Sequence, residues 1–141
     1  MLDNNIIRIL ILEDDLETLS VLMKGLYLLD LRYRGVLISP MVFSEFSQVE
    51  EYVNKMSDDY IDIILLDRDC KVGGSFHVLD FERFNKEKII SISSIPQWND
   101  EAVLSGASKV FWKDHDNLED WAEKLMLYVK QIVDDKVSDI N

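Results

Sequence analysis

The chain has 141 residues, 48% of them hydrophobic, and carries 15 Lys and Arg against 27 Asp and Glu, for a net charge of −12. That length suits one compact domain with a single core. The acidic balance speaks against nucleic acid or anionic lipid, since either needs a Lys/Arg footprint, and favours a basic or mixed protein surface as partner. One cysteine, Cys70, leaves no internal disulfide. No stretch reaches the ~20 apolar residues of a membrane span, and Asp3 spoils a secretory leader. The expectation is a cytoplasmic domain.

In chain order, Ile7-Arg8-Ile9-Leu10-Ile11-Leu12 reads as a first strand and ends in Glu13-Asp14-Asp15. Leu16, Leu19, Leu22, Met23, Leu26 and Leu29 then recur at spacings of three and four, the period of an amphipathic helix, with Asp14 or Asp15 as its N-cap. Gly35 breaks that pattern, and Val36 to Phe43 reads as a second strand in which Pro40 implies an edge position or a bulge. A second helix is predicted over about 45 to 57, with Phe46, Val49, Tyr52, Val53 and Met56 on one face.

The third strand, Ile61-Asp62-Ile63-Ile64-Leu65-Leu66, ends on Asp67. Gly73-Gly74-Ser75 supplies a turn and a cap before a short helix containing Val78, Leu79, Phe81 and Phe84. The fourth strand, Lys88-Ile89-Ile90-Ser91-Ile92, ends on Ser93-Ser94, and Pro96 precedes a helix near 98 to 105 with Gly106 as its C-cap. Lys109-Val110-Phe111-Trp112 is the fifth strand and ends on Lys113; Leu118, Trp121, Leu125, Tyr128 or Val129, and Ile132 then mark a last helix. Residues 1–133 are read as one domain, and 134–141, acidic and polar, as a frayed tail.

Five β-α alternations argue for an α/β protein with a parallel sheet covered on both faces. The carboxyl ends of such strands lie together and border the crevice in which open α/β folds bind ligands. Carboxylates, a hydroxyl and an ammonium are therefore delivered to one place. Each residue alone has a plainer reading: Asp14 and Glu17 form a capping pattern, Asp67 is a loop aspartate, Ser93 a strand terminus and Lys113 a solvated lysine. Jointly they require four coincidences at four strand ends, and three adjacent acids repel one another unless a cation relieves them. Cys70, His77 and His115 lack such support and read as structural or solvated.

The arrangement resembles the receiver domain of bacterial two-component response regulators across nearly the whole chain. The resemblance implies a flavodoxin-like, doubly wound five-stranded sheet in the order 2-1-3-4-5. It further implies that Asp67 is the phosphoacceptor, that Glu13, Asp14, Asp67 and the backbone carbonyl of Asp69 hold Mg2+, and that Ser93 and Lys113 bind phosphoryl oxygens. The chemistry suits those residue types, because phosphoryl transfer to a carboxylate needs the charge on the equatorial oxygens neutralised, and Mg2+ prefers oxygen ligands. The implied partners are a sensor histidine kinase or histidine phosphotransfer protein as donor and an unidentified downstream protein as target. Homodimerisation through the fourth helix, fifth strand and fifth helix is a further implied contact. Such a domain is not an enzyme in the turnover sense.

The sequence also departs from that pattern. Asp114 follows Lys113 where the family usually has a cis-proline; a cis peptide there would cost ~2.5–4 kcal/mol, which leaves a trans or a strained loop. Lys71 replaces a common proline, Gly74 sits one place early, and Asp69 adds a carboxylate beside the site. Val110 stands where an aromatic often swings inward, and strand alternation sends Phe111 and Trp112 to opposite faces. Arg32-Tyr33-Arg34 falls in an apparent extra turn or loop. Two alternatives remain. One is a pseudo-receiver interaction module independent of phosphorylation. The other is a phosphatase of the haloacid dehalogenase type, suggested by Asp67-Arg68-Asp69 but opposed by the mid-chain position of Asp67.

Overall fold

The structure is a computed structural model and describes residues 5–68 and 76–140. Strands β1 (Ile6–Leu12), β2 (Leu37–Phe43), β3 (Ile63–Leu66), β4 (Ile89–Ser91) and β5 (Lys109–Val110) form one parallel sheet in the order β2-β1-β3-β4-β5. Helices α1 (Leu16–Asp30) and α4 (Leu118–Ile140) cover one face; α2 (Ser47–Glu51) and α3 (Pro96–Ser105) lie on the other. This is the α/β, doubly wound arrangement expected from the alternation of elements.

The central strands are continuous apolar runs because they are covered on both sides. Alternation divides them: Ile7, Ile9, Ile11, Ile63 and Leu65 pack with α1 and α4, whereas Leu10, Leu12, Ile64 and Leu66 join the opposite cluster. Strand β2 lies at the edge, where Pro40, opposite Ile9, is tolerated. Asp15 is the N-cap of α1, accepting from Thr18 N at 3.1 Å and Thr18 Oγ1 at 2.6 Å. Farther along, Gly25 allows α4 to approach, since a Cβ there would stand 2.6 Å from Met126 Cγ. Gly106 ends α3 in the left-handed region at φ 119°, as its place after the helical pattern predicts.

Three expectations are corrected. The second helix is a single α-turn region, Ser47–Glu51, followed by a 3-10 turn at Val53–Lys55. Where a short helix around residues 78 to 84 was expected, the described residues contain only a 3-10 turn at Phe76–Val78. Phe76, Leu79 and Phe84 are still buried there. Side chains from the preceding connection hold this backbone instead: Asn54 donates to Val78 O (2.8 Å) and accepts from Asp80 N (2.9 Å), Arg83 donates to Met56 O (2.7 Å), and Asp58 accepts from Asn85 N (2.8 Å). Such bonds compete with helical ones. Finally, the residues read as a frayed tail continue α4 to Ile140. Asp134 accepts from Tyr33 Oη (2.5 Å) and from Lys130 Nζ (2.7 Å), Lys136 pairs with Asp62, and Val133 is buried.

Candidate functional site

At the carboxyl ends of β1, β3 and β5, Glu13, Asp67 and Lys113 converge with their side chains almost wholly withdrawn from water. Backbone bonds continue the parallel ladders to fix them: Asp67 N donates to Leu12 O (2.9 Å), Glu13 N to Phe43 O (3.2 Å), and Lys113 N to Ser93 O (3.2 Å). Lys113 Nζ donates to Glu13 Oε1 and to Asp67 Oδ2, the latter at 3.1 Å. The other Glu13 oxygen accepts from Asp14 N (2.9 Å) and Asp15 N (3.2 Å), which turns Oε1 toward the lysine. Asp14 is half-buried, and one oxygen from each of Glu13, Asp14 and Asp67 lies within 4.8 Å of the others.

Burial makes this cluster electrostatically demanding. The Glu13 carboxyl is pushed up to about 9, first by burial and then by the hydrogen bond and charge of Asp67, against the pull of Lys113. For Lys113, burial works against the charged form, but the attraction of Asp67 and Glu13 outweighs it and raises its pKa. The ammonium therefore keeps its charge, and Glu13 competes with Asp67 for it. A bound cation would favour the ionised form of Glu13 beside Asp14 and Asp67, and an all-oxygen donor set suits Mg2+.

The carbonyl of Asp69, expected as a further ligand, lies outside the described residues, as do Cys70, Lys71 and Gly74. Ser93 is fully buried just beyond β4, and its Oγ accepts from Ile95 N at 3.1 Å.

No protein-family model matches the chain, and no curated protein matches it. Solved structures do match, among them three response regulators. A response regulator receiver domain from Rhodospirillum rubrum has a TM-score of 0.62 at 16% identity over 87% of this chain and 93% of its own. The phosphorylated cyanobacterial phytochrome response regulator RcpA has a TM-score of 0.62 at 18% identity over 94% of both chains. A response regulator in red light signaling of R. palustris has a TM-score of 0.54 at 16% identity, covering 86% of this chain and 90% of that one.

The chain has the response regulator receiver fold.

Within the receiver fold, the expected departures have structural counterparts. The Lys113–Asp114 peptide is trans, since no described peptide bond is cis. Phe111 packs beside Tyr128, with ring centroids 5.5 Å apart, and Trp112 turns outward to donate from Nε1 to Ser94 O at 2.8 Å. These neighbours do face opposite ways. His115 lies in an exposed 3-10 turn.

Two further buried residues lie near the site, of which the sequence marked Arg68 and not Asn99. Arg68, directly after Asp67, is 6% exposed and has Nη1 3.9 Å from Glu101 Oε2. Asn99 is 3% exposed in α3 and bonds both Ser91 and Ser93. A faint signal for Asn99 was present: a poor helix former three residues before Ala102, on the inward side of a short helix.

Proposed function

We propose that this chain is a phosphoacceptor, taking a phosphoryl group onto Asp67 from a phosphohistidine of a sensor kinase or phosphotransfer protein. The observation that carries this reading is the convergence of Glu13, Asp14, Asp67 and Lys113 at three strand ends of a receiver fold. An Asp67 carboxylate oxygen forms the new bond to phosphorus as the bond from phosphorus to the donor imidazole nitrogen breaks. The electron pair leaves with the imidazole, which takes up a proton.

Glu13, Asp14 and Asp67 would hold Mg2+, with the Asp69 carbonyl as a further ligand; the ion, when bound, neutralises charge on the phosphoryl oxygens. Lys113 pairs with Asp67 before transfer and with a phosphoryl oxygen afterwards. The Ser93 hydroxyl accepts from Ile95 N and retains its own proton to donate to the phosphoryl group. In this reading the chain acts in the cytoplasm, does not turn over a substrate, and passes its signal to a basic or mixed protein surface. Contact through α3, β5 and α4, including a homodimer, is the proposed output.

Intact mass after incubation with acetyl phosphate and Mg2+ tests the reading. A labile gain of one phosphoryl group, lost in Asp67→Ala and without metal, is the expected result. A second reading, an interaction module independent of phosphorylation, has in its favour the departures at Asp114, joined to Lys113 by a trans peptide, and at Val110. No mass gain together with no binding of beryllofluoride would select that module.

A further inference from the structure

Asn99 occupies an unusual place for a helical residue. Its Oδ1 accepts from Ser91 Oγ (2.6 Å) and Ser93 N (3.2 Å), while its Nδ2 donates to Ser93 O (2.9 Å). The partners fix the amide's orientation, because a flipped amide would set its donor against Ser93 N–H and its acceptor against Ser93 O. Ser93 O also accepts from Lys113 N at 3.2 Å, so a single peptide joins Asn99, the buried hydroxyl and the strand end that carries the lysine.

Helix α3 buries little besides this residue. Its N-cap, Ile95, makes no side-chain capping bond, and its buried residues are Asn99 and Ala102. Leu104 is 87% exposed, and Val103 is about half exposed. An element with so few buried apolar contacts shifts at low cost. Its polar tie, in contrast, is buried, and leaving those groups unpaired is costly. A displacement of Ser93 therefore carries Asn99 and the first turns of α3 with it.

We infer that Asn99 is the positioning residue that ties Ser93 to α3, so that occupancy of the Asp67 site reaches α3 through this side chain. The inference rests on the phosphoacceptor reading and adds the connection that Val110 does not supply as an aromatic. Trp112, bonded to Ser94 O, braces the same loop from its outer side.

The test is amide hydrogen exchange of residues 94–106 with and without beryllofluoride plus Mg2+, in wild type, Asn99→Ala and Ser91→Ala. In wild type and Ser91→Ala, which keeps both Ser93 bonds, the addition should change α3 exchange. Asn99→Ala should still bind beryllofluoride yet lose most of that change. Without any addition, its α3 amides should exchange about tenfold faster while β1 and β3 stay protected. Asn99→Asp carries the same test should Asn99→Ala fail to fold, since it keeps the acceptor and loses the donor to Ser93 O. A full α3 response in the Asn99 variant, or equal losses in the Asn99 and Ser91 variants, would overturn the inference. If wild type binds no beryllofluoride, the phosphoacceptor reading fails. The resting exchange of α3 in the Asn99 variant then decides the tie by itself, unchanged exchange refuting it.

Discussion

On one side of the sheet, α1 with 15 residues and α4 with 23 lie along the strands and bury Leu22, Leu26, Trp121, Leu125 and Val129 between them and β1. On the other, a five-residue α2, a ten-residue α3 and isolated 3-10 turns are joined by side-chain bonds to backbone. The difference divides the site as well. Glu13 and Asp67 end strands that are covered on both faces, whereas Ser93 leads within three residues into the weakly buried α3. The firm half can hold charges at fixed separations, and the loose half can move when those charges change.

The largest way to break this contrast is at the firm half of the site. Lys113→Met leaves Glu13 and Asp67 buried without their ammonium and should cost about 3–5 kcal/mol of stability in urea unfolding at neutral pH. A loss below about 1 kcal/mol would mean that Lys113 does not hold the cluster. Next in size, Leu125→Ala opens a cavity under α4 and should cost about 3 kcal/mol. Leu104→Ala, on exposed α3, should stay within about 0.5 kcal/mol. Similar losses at the two positions would erase the proposed difference between the faces.

Gly106→Ala sharpens the comparison on the loose side. It combines a left-handed backbone at φ 119° with a Cβ that would crowd the Lys86 side chain, and should cost about 1–2 kcal/mol. Its cost should fall on α3 protection before that of α1.

The last effect concerns the end of α4. Burial, followed by the hydrogen bond to Asp134, pushes the Tyr33 phenol up to about 12. A raised folded-state pKa stabilises fully below the phenol's ordinary value of about 10 and loses that contribution as pH rises toward the folded value. Wild type should therefore exceed Tyr33→Phe by about 1 kcal/mol at pH 8, with the gap narrowing above pH 10. A gap that stays constant to pH 11 in urea unfolding would contradict the Tyr33–Asp134 bond.

How much of this was legible in the sequence depends on the range of the interaction. Continuous apolar runs showed β1 and β3 as buried central strands, Pro40 marked the edge, and Gly106 marked the end of α3. The place where Glu13, Asp67 and Lys113 meet was readable too, because parallel strands bring their carboxyl ends together whatever their side chains do. The preference of Lys113 for Glu13 as well as Asp67 was not readable.

By itself, the sequence determined the α/β class, the burial periodicity and which charges would stand at the strand ends, since these follow from local patterns of two and 3.6 residues. Tertiary structure alone decided that the segment after Phe76 takes 3-10 turns, that α4 continues to Ile140, and that Asn99 grips Ser93. For the first two, the bonds responsible join Asn54 to Val78 across 24 positions, Lys136 to Asp62 across 74, and Tyr33 to Asp134 across 101. Partners that distant leave no mark on local periodicity, so only the folded chain could choose them.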